Sequence, residues 1–295
     1  MRESIGLIGI GLVGTALAEN LLAAGFDVVG FARRAASREA LVRCGGRAAA
    51  SAAAVGEAAE RVLLSLPDSS AVEAVVLGPD GLLAGASRVR LILDTTTGDP
   101  EHTEALAARL SARGIRALDA PLSGSSQQIR ERQGVFLIGG DRGAYEGCLD
   151  LIRVLAERHY YLGGPGAGAR AKLASNLILG LNRLALAEGL VFAERLGLDL
   201  EAFLALLKAT PAYSCAVDVK GQKMLRGDFT PQSRISQHHK DLRIILEYAD
   251  RLGQELPLAR VHQEILARGM AAGEGDLDTS AVIRQLRALT RGGRA

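Results

Sequence analysis

The feature that most constrains the fold is a glycine-rich turn near the N-terminus, Gly9-Ile10-Gly11-Leu12-Val13-Gly14. Strand-like runs at 4–11 and 27–32 flank a helix-like run at 12–25, so the turn joins a strand to a helix within a βαβ unit. In that context the first glycine permits the tight turn, the second lets the backbone approach a pyrophosphate, and the third allows close helix–strand packing. A purely structural turn is the alternative, because a chain with 35 glycines also produces this spacing by chance. The position of the turn favours dinucleotide binding by these six residues.

The remainder of the chain divides into two patterns. Further strand-like runs alternate with helical runs up to about residue 163, at 61–67, 89–95, 114–121, 134–140 and 160–164. This alternation predicts parallel pairing and a doubly wound, Rossmann-type α/β domain over residues 1–163. Only helical patterns follow, at about 200–209, 213–225, 236–252, 257–271 and 278–291, so we predict an all-α domain over 164–295. A long interdomain helix over 169–196, free of proline and apolar nearly all round, is expected to join the two.

Composition narrows the classes of partner and compartment. The formal net charge is +2 and no basic stretch dominates, which argues against nucleic acid or an anionic membrane as the main partner. The three cysteines, Cys44, Cys148 and Cys215, are scattered, as in proteins of a reducing compartment. We see no signal-peptide pattern, and charge interrupts each apolar run before about 18 residues. We therefore expect a soluble, cytoplasmic protein.

The end of the second strand predicts the cofactor. An NAD site usually carries Asp or Glu there, whereas this chain has Ala32-Arg33-Arg34. A guanidinium can bind a 2′-phosphate through two parallel hydrogen bonds, and a carboxylate would repel it. We therefore predict NADP, with NAD as the alternative if Arg33 and Arg34 only stack on adenine or are solvated.

The start of the long helix carries the best candidate for acid–base chemistry. Lys172 and Asn176 are four residues apart and share one helical face. Lys172 is also one of only five lysines among 35 basic residues. An ordinary solvated lysine is the alternative interpretation of this position.

Taken together, the motifs resemble the β-hydroxyacid dehydrogenase family, which includes 3-hydroxyisobutyrate dehydrogenase and tartronate semialdehyde reductase. The resemblance runs nearly end to end and rests on five ordered matches beyond the glycine turn. They are "LLSLPDSSAVEAVVLGPDGLL", "LDTTTGDP", "DAPLSGS", "GAGARAKLASN" and "HKDLRI".

The resemblance implies a role for residues that match the family motifs. Lys172 is the expected acid/base, Asn176 is expected to position the substrate, and Ser123 with Gly124 to bind its carboxylate side. Ser125 stands where the family usually has a second glycine, so we expect it to narrow or polarise the pocket. The cofactor residues implied beyond the glycine turn are Arg33, Leu66, Pro67, Thr97 and Lys240, with Thr96 at the Ser position of its motif and Asp241 supporting the helix. Ala32 and Arg34 depart from the family pattern on either side of Arg33, so Arg34 is a cofactor candidate only by its position after the second strand.

The expected activity is hydride transfer between NADP and a small 3-hydroxy acid, or reduction of the matching semialdehyde. The alternatives are an imine reductase of the same fold, whose members commonly lack the lysine, and a non-catalytic NADP-binding scaffold. No metal site is expected, because His238 and His239 diverge on a helix and His102, His159 and His262 are isolated. These three are predicted to be satisfied surface or core residues.

Two expectations concern partners. The substrate is expected to be small and anionic, and we predict surface positions for the arginines with the reach for a second anionic group, Arg130, Arg132 and Arg234. The apolar circumference of the long helix favours burial by a second subunit, and the resemblance implies a homodimer or homotetramer.

Overall fold

The structure is a computed structural model and describes residues 3–289. The chain divides into two compact units, one up to Lys172 and the other from Leu173 onward. Each unit has its own hydrophobic core.

The first unit is built on one mixed sheet. Within the described residues its nine strands are β1 Ser4–Ile8, β2 Asp27–Phe31, β3 Arg47–Ala48, β4 Arg61–Leu64, β5 Leu91–Asp94, β6 Arg116–Asp119, β7 Leu122–Ser123, β8 Val135–Gly140 and β9 Arg158–Gly163. The order is β3-β2-β1-β4-β5-β6-β8-β7, and β9 pairs with β8. The six strands from β3 to β6 in this order are parallel, as expected for a doubly wound domain.

One expectation about the sheet is wrong. We expected parallel pairing of the strands that alternate with helices, but β8 runs antiparallel to β6 and β7. The chain between β6 and β8 forms β7, which pairs with β8 in antiparallel direction, and one helix of five residues, so it turns back on itself and does not make a helical crossover.

Helices cover both faces of the sheet. Those of the first unit are α1 Leu12–Ala23, α2 Ala35–Arg43, α3 Ala52–Ala58, α4 Ser69–Leu77, α5 Pro100–Ser111, α6 Ser126–Arg130, α7 Arg142–Glu146 and α8 Leu149–Leu155. Alternate strand residues belong to different cores: Leu63 packs in one cluster, and Val62 and Leu64 pack in the other. The strands are therefore buried on both sides, as in other parallel sheets.

The second unit is helical. Its α-helices are α9 Ala167–Arg195, which begins in the first unit, α10 Leu200–Lys208, α11 Gln222–Arg226, α12 Ile235–Arg251, α13 Pro257–Ala271 and α14 Val282–Ala288. Apolar residues of α9, such as Ala187 and Leu190, form its core with α12, α13 and α14.

The helices expected at 213–225 and 278–291 differ in detail. The first consists of a π-helical turn, Val217–Gly221, followed by α11, and a 3₁₀ turn, Thr279–Ala281, precedes α14. The last residues of the second prediction lie outside the described part of the chain.

By length and hydropathy, α9 could cross a membrane: its most apolar 18-residue window has a mean hydropathy of 1.3, and 39% of that window is buried. The core helix of a water-soluble protein passes the same test. Arg183 lies near the middle of α9 and falls within any such window, so the apolar stretch is not free of charge.

Candidate functional site

The three glycines of the N-terminal turn differ in their surroundings as a pyrophosphate site requires. Gly9 has φ +94°, and a Cβ there would lie 2.1 Å from the Ser65 carbonyl oxygen. A Cβ on Gly14 would lie 1.9 Å from the Gly9 oxygen, so helix α1 can pack against the turn only at glycine. A Cβ on Gly11 would meet nothing within 4 Å. The fold therefore needs the first and third glycines, whereas the second faces open space at the N-terminus of α1, where phosphates bind favourably.

Two arginines follow β2 at the edge of the sheet that carries this turn. Arg33 and Arg34 are exposed, and Arg34 is the residue before α2. The side chain of Arg38, one turn into α2, donates from Nη1 to the backbone oxygens of Ala32 (2.6 Å) and Arg33 (3.0 Å). Arg38, which sequence reasoning missed, fixes the backbone that presents the other two.

The loops after β4 and β5 are joined by hydrogen bonds. The Leu66 amide donates to Thr96 Oγ1 at 3.1 Å, and the Thr96 amide donates to Asp94 Oδ1 at 2.9 Å. Because β4 and β5 are parallel neighbours, their carboxyl ends share one edge of the sheet. The cofactor candidates Leu66, Pro67 and Thr97 are therefore held along the same edge as the glycine turn.

Asp94, at the end of β5, lies in a cavity of about 240 Å³ inside the first unit. Residues of α5 and of the neighbouring strands line the cavity, among them Ala107 of α5 and Ala117 of β6. Burial raises the pKa of Asp94 to about 6; hydrogen bonds from Thr96 oppose the shift and the charge of Asp119 adds to it.

The start of α9 is fixed by the carboxylate of Asp119 at the end of β6. Oδ1 accepts the Gly166 amide at 2.9 Å, and Oδ2 accepts the Ala169 amide at 2.8 Å. A Cβ on Gly168 would lie 2.3 Å from the Leu137 oxygen, so only glycine lets the helix approach the sheet this closely. Sequence reasoning quoted Asp119 within a motif but gave it no role.

Lys172 lies one turn further along α9 and is 7% exposed. Its Nζ donates to the Leu122 carbonyl oxygen at 2.6 Å. Leu122 precedes Ser123 and Gly124, and Gly124 has φ +144°. The structure thus brings the predicted acid/base and the predicted substrate loop together within the first unit.

Ser125 has a structural use in addition to its predicted one. Its Oγ accepts the Gln128 amide (3.3 Å), and the Gln128 side chain accepts the Ser125 amide (2.9 Å). This reciprocal pair is a capping box that starts α6. The predicted effect of Ser125 on a pocket stays a prediction.

In the second unit the predicted residues Asn176 and Lys240 meet at Asp241. Asn176 Nδ2 donates to Asp241 Oδ2 at 3.1 Å, and Lys240 Nζ lies 2.8 Å from Oδ1. Asn176 and Asp241 are buried. The carboxylate therefore orients the amide so that its oxygen is directed elsewhere, and sequence reasoning had given Asp241 only a supporting role.

The structure also shows the surroundings of the remaining candidate metal ligands and arginines. Among residues 3–289 no group of three His, Cys, Asp or Glu side chains could hold a metal ion. Arg130 pairs with Glu19, Arg132 donates to the Arg153 oxygen, and Arg234 pairs with Asp276.

The prediction for His262 is wrong in one respect. The residue is fully buried, but neither ring nitrogen has a hydrogen-bond partner within the described residues. Nearby Arg183, which sequence reasoning did not single out, also has unpartnered nitrogens.

Known proteins match both units. Residues 4–163 match the family model described as the NAD binding domain of 6-phosphogluconate dehydrogenase. Residues 166–286 match the model described as NAD-binding of NADP-dependent 3-hydroxyisobutyrate dehydrogenase.

Individual relatives agree. The chain is 31% identical over 282 residues to 2-(hydroxymethyl)glutarate dehydrogenase of Eubacterium barkeri, covering 95% of this chain and 94% of the relative. It is 31% identical over 282 residues to the cytokine-like nuclear factor N-PAC of Homo sapiens, covering 96% of this chain but only 51% of that protein, so it spans about half the length of N-PAC. A structure of Mycobacterium tuberculosis 3-hydroxyisobutyrate dehydrogenase with L-serine superposes with a TM-score of 0.84 at 27% identity and covers 97% of this chain and 100% of its own.

The two family models follow one another along the chain in the order of its two units, and the first alone covers more than half of it. The chain belongs to the β-hydroxyacid dehydrogenase family.

Proposed function

We propose that the protein is an NAD(P)-dependent oxidoreductase that interconverts a small 3-hydroxy acid and the matching semialdehyde, with Lys172 as acid/base. When bound, the nicotinamide accepts or supplies the hydride. Lys172 takes the hydroxyl proton during oxidation and returns it to the carbonyl oxygen during reduction, so the charges balance without a metal.

The observation that carries the proposal is the setting of Lys172. Its ammonium is buried, and the Leu122 carbonyl oxygen holds it at 2.6 Å beside Ser123 and Gly124. A surface lysine would be solvated instead. The hydroxyl of Ser123 and the backbone at Gly124 can donate to a substrate carboxylate. Asn176, one turn later on α9, can position the substrate with its amide, which Asp241 orients.

For the cofactor we propose a preference for NADP. The two exposed guanidinium groups of Arg33 and Arg34 follow β2, and Arg38 fixes the backbone between β2 and α2. A higher kcat/KM with NADP than with NAD is expected, and changing both arginines to serine should reverse the order. A higher kcat/KM with NAD in the unchanged protein contradicts this preference.

The activity is tested with a panel of small 3-hydroxy acids and semialdehydes, each with both cofactors, by NAD(P)H absorbance. We expect Lys172→Ala to lower kcat by about 100- to 10,000-fold, the usual contribution of a positioned acid/base, while NADPH still binds. Lys208→Ala is the control, because Lys208 lies on the surface and pairs with Asp218. Near-full turnover by Lys172→Ala would overturn the mechanism.

The same panel separates the alternatives. N-PAC does not carry the name of an enzyme, so a non-catalytic dinucleotide-binding role is the competing proposal. It predicts NADPH binding without turnover of any hydroxy acid, semialdehyde or imine. Turnover of imines alone would favour an imine reductase.

We further propose a cytoplasmic homodimer or homotetramer with no nucleic acid or membrane partner. The support is the near-neutral net charge and an exposed apolar stripe on α9, which includes Ile178 and Phe192.

A further inference from the structure

Three helices of the second unit meet at a buried polar cluster, formed by Arg183 of α9, His238 of α12 and His262 of α13. A Cβ on Gly180 would lie 2.4 Å from His238 Nε2 and 2.9 Å from His262 Cε1, so both rings pack directly on α9. The two ring centroids are 5.2 Å apart. Apolar residues of the same three helices form the core of this unit.

Arg183 lacks acceptors in this cluster. It is 4% exposed, and within the described residues its Nε and Nη2 atoms have no hydrogen-bond partner. Both ring nitrogens of His262 are also unpartnered. Buried polar groups are nearly always hydrogen-bonded, so four such atoms in one place indicate an absent acceptor.

The nearby carboxylates do not supply that acceptor. Asp241 and Asp278 are close enough to Arg183 for their charges to act on it. Each is already paired with a lysine, however: Asp241 with Lys240 and Asp278 with Lys220, both at 2.8 Å. Arg183 is therefore a third cation beside two paired anions, and burying it costs stability.

The unpartnered nitrogens of Arg183 are arranged so that they can bind a carboxylate. The Nε–H and Nη2–H groups form the side edge of a guanidinium, whose two parallel bonds match the two oxygens of a carboxylate. Burial, with help from the charge of Arg183, lowers the pKa of His262 to about 3. Its neutral ring therefore keeps one N–H donor for the same anion.

The cluster lies on the same helical face as Asn176. Arg183 follows Asn176 by seven residues, which is two turns or about 10 Å, and side chains on a helix lean toward its N-terminus. The charge of Asp241, which accepts a hydrogen bond from Asn176, acts on Arg183, so the guanidinium lies within electrostatic reach of that pair.

We propose that Arg183 binds a second carboxylate of the substrate through its Nε–Nη2 edge, with His262 as an additional donor. The inference rests on the proposed function and deepens it: the substrates are 3-hydroxy acids, or semialdehydes, that carry two carboxylates.

The test compares 3-hydroxy acids that share one skeleton. The C2 substituent is a methyl group in the monoacid, and a chain of one or two methylenes ending in a carboxylate in the diacids. We expect the unchanged protein to prefer a diacid by about 100-fold in kcat/KM, the size of a hydrogen-bonded charged contact. Arg183→Met should remove most of that ratio. Arg183→Lys, which keeps the charge and loses the paired edge, should give an intermediate ratio.

Arg195→Met is the matched control, since Arg195 lies exposed at the end of the same helix, and it should leave the ratio unchanged. A second readout needs no turnover: glutarate should raise the Tm of the unchanged protein and of Arg195→Met, but not of Arg183→Met. If Arg183→Met does not fold, Arg183→Lys serves in both measurements. Because Arg183 is a buried unpaired cation, the methionine variant is expected to melt at a higher temperature without ligand.

The outcomes separate the two proposals. Turnover of monoacids with no preference for diacids, or an unchanged ratio in both Arg183 variants, overturns the role of Arg183 and leaves the proposed function intact. Such a result would mean that the cluster holds water only. No turnover of either class overturns the proposed function, and the glutarate shift then decides the role of Arg183 by itself. An equal shift with sulfate or chloride would identify a general anion site and would also overturn the proposal.

Discussion

Among single residues, Asp119 supports the proposed chemistry without being part of it. Its two carboxylate oxygens accept the amides of Gly166, just before α9, and of Ala169, in its first turn, 47 and 50 residues later in the chain. Lys172 follows on the same helix and reaches back to Leu122. The lysine is therefore positioned by a contact between β6 and α9.

The substitution Asp119→Asn tests this positioning. An amide has one oxygen, so either the Gly166 or the Ala169 amide must lose its acceptor, which costs about 1–3 kcal/mol. We expect a lower Tm and a lower kcat with a smaller change in KM, measured by calorimetry and steady-state kinetics. Asp141→Asn is the control, because Asp141 caps α7 with one oxygen and asparagine caps a helix nearly as well. Equal effects of the two variants would contradict a positioning role.

Asp94 gives a prediction about pH. Its pKa is raised from the ordinary 3.8 to about 6, so its neutral form is favoured in the folded state. The contribution of neutral Asp94 to the free energy of unfolding is therefore fully present below about pH 4, and it is lost as the pH rises through 6. It amounts to at most about 3 kcal/mol, because a tenfold change in proton affinity corresponds to about 1.36 kcal/mol.

Denaturant unfolding between pH 4 and pH 7 measures this effect. The free energy of unfolding of the unchanged protein, relative to Asp94→Asn, should fall across that range. Two parallel curves would show that burial does not raise the pKa of Asp94.

The candidate residues that the sequence alone singles out are those whose spacing carries the signal. Lys172 and Asn176 stand four apart on one helix, and the glycines of the turn have a fixed spacing after a strand. Asp119, Arg38 and Arg183 could not be assigned in this way, because their partners or their burial depend on contacts between distant segments. A single arginine in a helix looks the same in a sequence whether it is solvated or fully buried.

Among the elements, α9 carries the clearest consequence. Its inner face forms the core of the second unit, whereas Ile178 and Phe192 on its outer face are 61% and 64% exposed. An exposed apolar stripe of this kind is typical of a protein interface.

We predict that Ile178→Glu combined with Phe192→Glu converts the proposed oligomer into monomers, because charges would be buried in the interface. Light scattering after size exclusion measures the mass. Leu252→Glu is the control, as Leu252 is exposed at the end of α12, away from the stripe along the chain. A monomeric unchanged protein at micromolar concentration would contradict the proposal.

Most elements followed from periodicity, and the exceptions have physical causes. The long helix was expected at 169–196 and runs over Ala167–Arg195. The antiparallel direction of β8 could not be predicted, because the local pattern of a buried strand is the same in both directions. The π-helical turn at Val217–Gly221 likewise has no periodicity of its own to distinguish it from an α-helix.

For the whole molecule, the division into two compact units, each with its own buried apolar residues, predicts two unfolding transitions in calorimetry. NADPH should raise the free energy of unfolding of the unit up to Lys172, because this unit contains the glycine turn. The expected increase is about 2.7 kcal/mol at an NADPH concentration 100-fold above the Kd, and it should appear as a higher Tm of that transition.

Two substitutions in the glycine turn separate the loss of NADPH binding from the loss of stability. Gly11→Asp should unfold like the unchanged protein without ligand, since a Cβ there meets nothing within 4 Å, and should lose the NADPH shift because its carboxylate repels the pyrophosphate. Gly14→Ala should destabilise the unit even without ligand, because its Cβ would lie 1.9 Å from the Gly9 oxygen. A full NADPH shift in Gly11→Asp would contradict the assignment of the site.

The Asp119 contact also has a consequence for the order of events during translation. Asp119, Gly166, Ala169 and Lys172 all precede Leu173, where the second unit begins. At roughly 5–20 residues per second, every 100 residues made after Lys172 take the ribosome about 5–20 s. The lysine can therefore reach its final setting on the nascent polypeptide before the helical unit has been synthesised.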